Sequence, residues 1–405
     1  MKTNLYLFLL VGLMCISCNQ EAIAPYQACQ DVFPSSPTHA KAAEFQSALE
    51  EYVSKGVPGV VAAIYTPNEG LWVGAAGKAV IETAEPMNPC NLFFSASLAK
   101  TYHVVAALAL AEDGLLELDK PIDQYLSESH AQKIPNSSRI TVQQLMNHTS
   151  GIPDFIENID HVTDYLHNLN RTYTQDDYLD YIQQKSPLFE PGTDVSYSNT
   201  NTTVLALIMD QVYGNHAKAL TDKIIQPLGL SRTFYKNEAA YPSPTGLSNC
   251  YIDLYGNGKL QNSTAWESNF SQMNIGHDGM IVHPYDNYLF LKALFEGNIL
   301  SPAMVDSMQD AAMMYSESEF FAEGLGLEIT FLKDDFGRRI GHNGGSLGGA
   351  HEMRYYPKQG VYLCISANFA GFIDSPIEGN FYPTTAQPGN VRSMYDELER
   401  IALGV

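Results

Sequence analysis

Strand-like segments stand at both ends of the chain, and a long helical stretch separates them. Near the N-terminus, residues 57–64 and 71–80 are apolar, β-branched runs joined by Pro67-Asn68-Glu69-Gly70, the composition of a hairpin turn. Near the C-terminus, residues 326–332, 338–341, 350–356 and 361–367 read as strands joined by short connections. Between them, from roughly 115 to 315, helical patterns alternate with turn clusters. Strands at both ends with helices between suggest one sheet built from both termini. The expected fold class is α/β of the α+β type, an antiparallel sheet flanked by helices, built from both termini, with an inserted all-helical lobe. Residues 37–114 and 316–405 would form the sheet lobe, and 115–315 the mainly helical one. Within the first, 41–52 has helical spacing, and 97–111 is Ala- and Leu-rich without Gly or Pro, the pattern of a buried helix stopped near Gly114. A helix over 391–403 is expected to close the chain.

The first 17 residues are expected to lie outside this fold as a signal peptide. Lys2 precedes an apolar run over 5–14, which as a helix covers about 15 Å, half the hydrocarbon core of a bilayer. Ser17 before Cys18, with polar Asn19, Gln20 and Glu21 after it, resembles a bacterial lipoprotein box. Cys18 would then be the lipidated mature N-terminus and 18–36 a tether; the alternative is a simple secretory signal cut nearby. Both readings imply export to the cell envelope, with any membrane attachment through acyl chains. Export permits disulfides among Cys29, Cys90, Cys250 and Cys364, and four cysteines allow three complete pairings. Cys364 sits in an apolar run and is expected to be a buried free thiol.

Charge removes whole classes of partner. With 45 acidic and 23 basic side chains the net charge is -22, which opposes binding to nucleic acid or to an anionic membrane surface. An apolar content of 45% excludes disorder. Neither the cysteines nor the 11 histidines have metal-ligand spacing, so no metal and no cofactor is expected. Phosphate-cradling and dinucleotide glycine loops are missing from the sequence.

Three short motifs carry chemistry. Ser97-Leu98-Ala99-Lys100 puts a hydroxyl and an amine on one helix face, and a lysine of lowered pKa can take the proton that makes serine a nucleophile. Ser95, two residues away, has no lysine three positions on. Tyr197-Ser198-Asn199 follows the turn Pro191-Gly192-Thr193 and precedes a long apolar helix. The other Tyr-x-Asn triplets, at Tyr213, Tyr235, Tyr255 and Tyr285, fall in turns, connections or helix ends. His342-Asn343-Gly344 leads into a glycine-rich stretch that reads on its own as a flexible loop. His277-Asp278-Gly279 is a rival match that looks like a connection in the helical lobe. Gly344-Gly345-Ser346-Leu347-Gly348 matches a nucleophile elbow by letter, but a strand-like run follows where that motif needs a helix. A pair of glycosidase carboxylates cannot be picked from spacing.

The order Ser97…Lys100, Tyr197…Asn199, His342…Gly344 resembles the class C β-lactamase and D-alanyl-D-alanine carboxypeptidase superfamily of penicillin-binding serine hydrolases. The segment from Glu112 to Pro121, the stretch Leu145-Met146-Asn147-His148-Thr149-Ser150-Gly151-Ile152-Pro153, Phe189-Glu190-Pro191-Gly192 and Pro227-Leu228-Gly229-Leu230 extend the likeness over about 40–400. The resemblance implies an active site between two lobes and an acyl-enzyme on Ser97. Lys100 and Tyr197 would share its deprotonation and the protonation of the leaving group. Asn199, His342 and Gly344 would bind substrate, and the backbone N–H groups of Ser97 and Gly345 would form the oxyanion hole. His148 is expected to be structural. Class C β-lactamases carry Lys where this chain has His342, which points toward the superfamily's peptidases, D-aminopeptidases and esterases. The expected protein is an exported serine hydrolase of a small-molecule or peptide amide or ester; the alternatives are a non-catalytic binding or scaffold member and a weak true β-lactamase.

Overall fold

A computed structural model describes residues 25–33, 38–236, 238–316, 318, 320–332, 336–371 and 393–405. The expected signal peptide and Cys18 lie outside the described residues. Among those described, nine strands form one sheet in the order Glu85–Pro86, Gly70–Val80, Gly59–Thr66, Val361–Ala367, Ala350–Tyr356, Arg338–Gly345, Leu327–Phe331, Phe321–Gly324, Met313–Met314. Every neighbouring pair is antiparallel. The two ends of the chain meet at the centre, where Val60 pairs with Ala367 and Tyr65 with Tyr362.

The central position of these strands follows from their composition. All seven residues of Val361–Ala367 are buried, and all but Ser366 are apolar, as a strand covered on both faces favours. Leu363 and Ile365 pack with Phe45 and Leu49 of helix Ala42–Ser54 and with Leu398 of helix Met394–Leu403. Tyr362 and Cys364 face the opposite way, into the core shared with helix Leu98–Glu112. Each buried Leu or Ile contributes about 1.5–3 kcal/mol relative to an exposed one. Leu98–Glu112 itself is buried from Leu98 through Leu110, as its Ala-rich sequence requires.

Two expectations change. The strand expected over 338–341 continues to Gly345, because His342 pairs with Met353 and Gly345 with Ala350. The third motif is therefore sheet, and the turn is confined to the residues after it, closed by Ser346 N–H donating to Gly349 O at 3.0 Å. The expected tether is also not free along its whole length. Residues 25–33 lie against the body through a Cys29–Cys90 disulfide, an Asp31–Arg232 ion pair at 2.8 Å and Phe33 stacked on His283. Cys250 and Cys364 are buried free thiols, so none of the three complete pairings forms.

Candidate active site

The site is organised around a short ladder. Phe93 pairs with Val282 and Phe94 with Ile281, and the Ser95 N–H donates to Met280 O at 2.9 Å. The chain then turns through Ala96, whose φ of 47° lies in the left-handed region that costs a non-glycine residue about 1–2 kcal/mol. Helix Leu98–Glu112 starts directly after Ser97. The strand Arg338–Gly345 passes so close to this turn that a Cβ on Gly344 would stand 2.9 Å from Ser95 O and 3.2 Å from Ser97 N. Glycine in the third motif is thus required by backbone approach.

One helical turn past Ser97, Lys100 Nζ donates to Ser97 Oγ at 2.8 Å and to His277 O at 3.2 Å. Its side chain is 0% exposed. Burial lowers its pKa to about 7, against the opposing pull of Asp154, Asp278, Glu328 and Glu323. An amine so placed is substantially neutral near pH 7 and can accept the Ser97 proton. His277, whose carbonyl accepts from Lys100, lies three residues before Met280, so the rival His277-Asp278-Gly279 match, a connection as expected, lies inside the site.

Tyr197 sits beside Lys100, whose Nζ is 4.8 Å from the ring centroid. Burial raises the phenol's pKa well above its ordinary value, while a hydrogen bond with Ser97 pulls the other way. Its position is set by the helix Asn199–Tyr213 and by the segment that caps it. Asp154 Oδ2 accepts from Asn199 N at 3.0 Å and from Asn199 Nδ2 at 2.7 Å. His148 Nδ1 accepts from Ser198 N at 3.1 Å, and the His148 ring lies against Tyr197 at 4.5 Å. Burial holds the His148 pKa well below its ordinary value, which keeps that nitrogen an acceptor. The stretch from Leu145 to Pro153 therefore acts through Tyr197 and Asn199, and Asp154 next to it was not picked out from sequence. Asn199, expected at the substrate, has its amide nitrogen engaged by Asp154.

His342 is 1% exposed, inside the strand. Its Nδ1 is 2.5 Å from Asn343 O and 3.5 Å from Glu328 Oε1. Burial lowers its pKa to about 4, and Glu328 opposes that shift. Glu328 in turn pairs with Arg354, which also binds Glu352 Oε2 at 2.7 Å. This buried ion cluster was not visible in the sequence, because its members come from three strands.

Ser97, Tyr197, Asn199 and Gly345 line one cleft of about 730 Å³. Lys100 lies buried at its base, and His342 and Gly344 are buried in the strand that brings Gly345 to it. Much of the remaining wall is apolar: Val162, Tyr165, Leu166 and Leu169 on one stretch, Trp266 and Phe270 on another. Asp278 also reaches the cleft. Among the described residues no group of three or more His, Cys, Asp or Glu side chains could hold a metal ion. No helix among them is long and apolar enough to cross a membrane.

Comparison with known proteins bears on the fold and the family. The chain is 25% identical over 287 residues to penicillin-binding protein 4* of Bacillus subtilis, which covers 68% of this chain and 60% of that protein. It is 26% identical over 195 residues to protein flp of Staphylococcus aureus, 48% of this chain and 38% of that protein. The match thus spans between about two fifths and three fifths of these curated relatives. A D-stereospecific amidohydrolase from Streptomyces sp. superposes with a TM-score of 0.69 at 27% identity, covering 85% of this chain and 99% of that one. The D-amino acid amidase of Ochrobactrum anthropi SV3, complexed with D-phenylalanine, shares the fold with a TM-score of 0.72 at 22% identity, over 89% and 98% of the two chains. The sequence profile of the Beta-lactamase family matches residues 44–382, and the chain belongs to that family, within the β-lactamase and penicillin-binding serine hydrolase superfamily.

Proposed function

We propose that this protein is an exported serine hydrolase that cleaves an amide, peptide or ester bond through an acyl-enzyme on Ser97. The observation that carries the reading is the desolvated Lys100 amine 2.8 Å from Ser97 Oγ. Ser97 Oγ attacks the substrate carbonyl carbon as its proton passes to Lys100 Nζ. The oxyanion is held by the backbone N–H groups of Ser97 and Gly345. As the C–N or C–O bond breaks, the leaving group takes a proton through Lys100 and Tyr197, and water then attacks the acyl ester by the reverse path. Lys100 is the base, because burial keeps Tyr197 a phenol and thus a donor or relay. Asn199 would bind substrate through its remaining amide oxygen.

The cleft draws its walls from both proposed lobes, Ser97 and Gly345 from 37–114 and 316–405 and the rest mainly from 115–315. The amidohydrolase likeness supports an amide-cleaving member over an efficient β-lactamase. Residues 1–17 and Cys18 support a lipid-anchored place in the envelope, which acyl labelling lost in Cys18→Ala would test. For the chemistry, a fluorophosphonate probe should label the wild type and Ser95→Ala but not Ser97→Ala. No adduct under conditions that label a related hydrolase would remove the catalytic reading and favour a binding or scaffold role.

A further inference from the structure

Resting on the Ser97 hydrolase reading, we infer that His342 is held neutral beneath this site, and that the cleft selects an ester or amide bearing a large apolar group and no carboxylate. The first part follows from where the His342 hydrogen must be. Asn343 O, 2.5 Å from Nδ1, can only accept, so Nδ1 carries the hydrogen. The ring is almost wholly buried, and the adjoining carboxylate of Glu328 already has its counter-charge in Arg354. Arg354, and Lys100 in its charged form, also lie close enough to oppose a positive charge on the ring. A neutral ring with hydrogen on Nδ1 has a bare lone pair at Nε2. The third motif thus brings no positive charge to the strand beneath the cleft.

The cleft wall points the same way. Its lining contains no Lys or Arg, and its one carboxylate, Asp278, repels an anion. Lys100, beneath Ser97, is committed to Ser97 Oγ and His277 O. The rim carries Leu166 at 64% exposure and Tyr255 at 71%, apolar surface that a substrate group would cover. About 730 Å³ leaves room for an aromatic ring or a medium acyl chain against Val162, Phe270 and Trp266.

Two measurements on the wild-type protein test this. Along p-nitrophenyl esters from acetate to octanoate, kcat/KM should climb by about fourfold per methylene as each is buried. Acylation of Ser97 by benzylpenicillin methyl ester should outrun that by the free acid by roughly tenfold or more, the scale of an unmatched buried polar contact. In Leu166→Asp the octanoate-to-acetate ratio should fall toward unity. A flat ester series, or a free acid that acylates as fast as its methyl ester, overturns the inference while fluorophosphonate labelling still upholds the hydrolase. If Ser97 takes no fluorophosphonate, the underlying reading fails and this inference fails with it.

Discussion

On the proposed mechanism, Lys100 sets the pH behaviour. Its free amine would be the reactive form, and burial lowers its pKa to about 7, so the fraction able to accept a proton rises with pH. Acylation kcat/KM should therefore increase about tenfold per unit on the acid side and level off above about pH 7. The buried Tyr197 phenol, held well above its ordinary value, adds no alkaline limb in that range. Lys100→Ala should remove the rise and slow acylation by about 10²–10⁴. A profile between pH 5 and 9 that stays flat in the wild type would contradict Lys100 as base. Gly344→Ala tests the backbone approach: its Cβ would press on Ser95 O and on Ser97 N, the proposed oxyanion donor, with kcat expected to fall by about 10²-fold. The Ser97–Lys100 pair was legible in the sequence because a helix brings i and i+3 together. Asp154 and Glu328 were not, since their partners arrive through tertiary contacts that leave no local signal.

At the scale of elements, period-2 and helical patterns located the strands and helices that make the core. They missed the last residues of the strand Arg338–Gly345, where glycines look like loop and only pairing with Ala350–Tyr356 decides otherwise. They also missed the docking of residues 25–33, which depends on groups far along the chain. Gly246 N–H donates to Gln27 O at 2.8 Å, and Asn91 Nδ2 donates to the Tyr26 hydroxyl at 3.0 Å. The disulfide closes a sequence separation of 61, seven residues before Ser97. Restricting an unfolded loop of that size contributes about 2–4 kcal/mol. Cys29→Ser should lower the thermal transition accordingly and expose the N-terminal segment to limited proteolysis. An unchanged melting curve and an uncut segment would show that the hydrogen bonds and the Asp31–Arg232 pair hold it unaided.

Over the whole molecule, the net charge of -22 was readable from composition, but its bearing on substrate needed the cleft. Composition cannot say whether a basic patch offsets the excess where substrate enters. Here the lining holds Asp278 and no Lys or Arg, so the field at the entrance adds to the local preference. The two contributions differ in reach. The long-range part is screened over about 10 Å at 0.1 M salt and about 3 Å at 1 M, whereas contact with Asp278 survives screening. Three esters matched in apolar group but carrying a cationic, neutral or anionic substituent separate them. From about 20 mM to 1 M salt, kcat/KM should fall for the cationic ester, rise for the anionic one and change little for the neutral one. The cationic-to-anionic ratio should shrink yet stay above one, its residue measuring what the cleft contributes by contact. A ratio independent of salt would assign the selectivity to the cleft alone, and a ratio that reaches one would assign it to the surface charge.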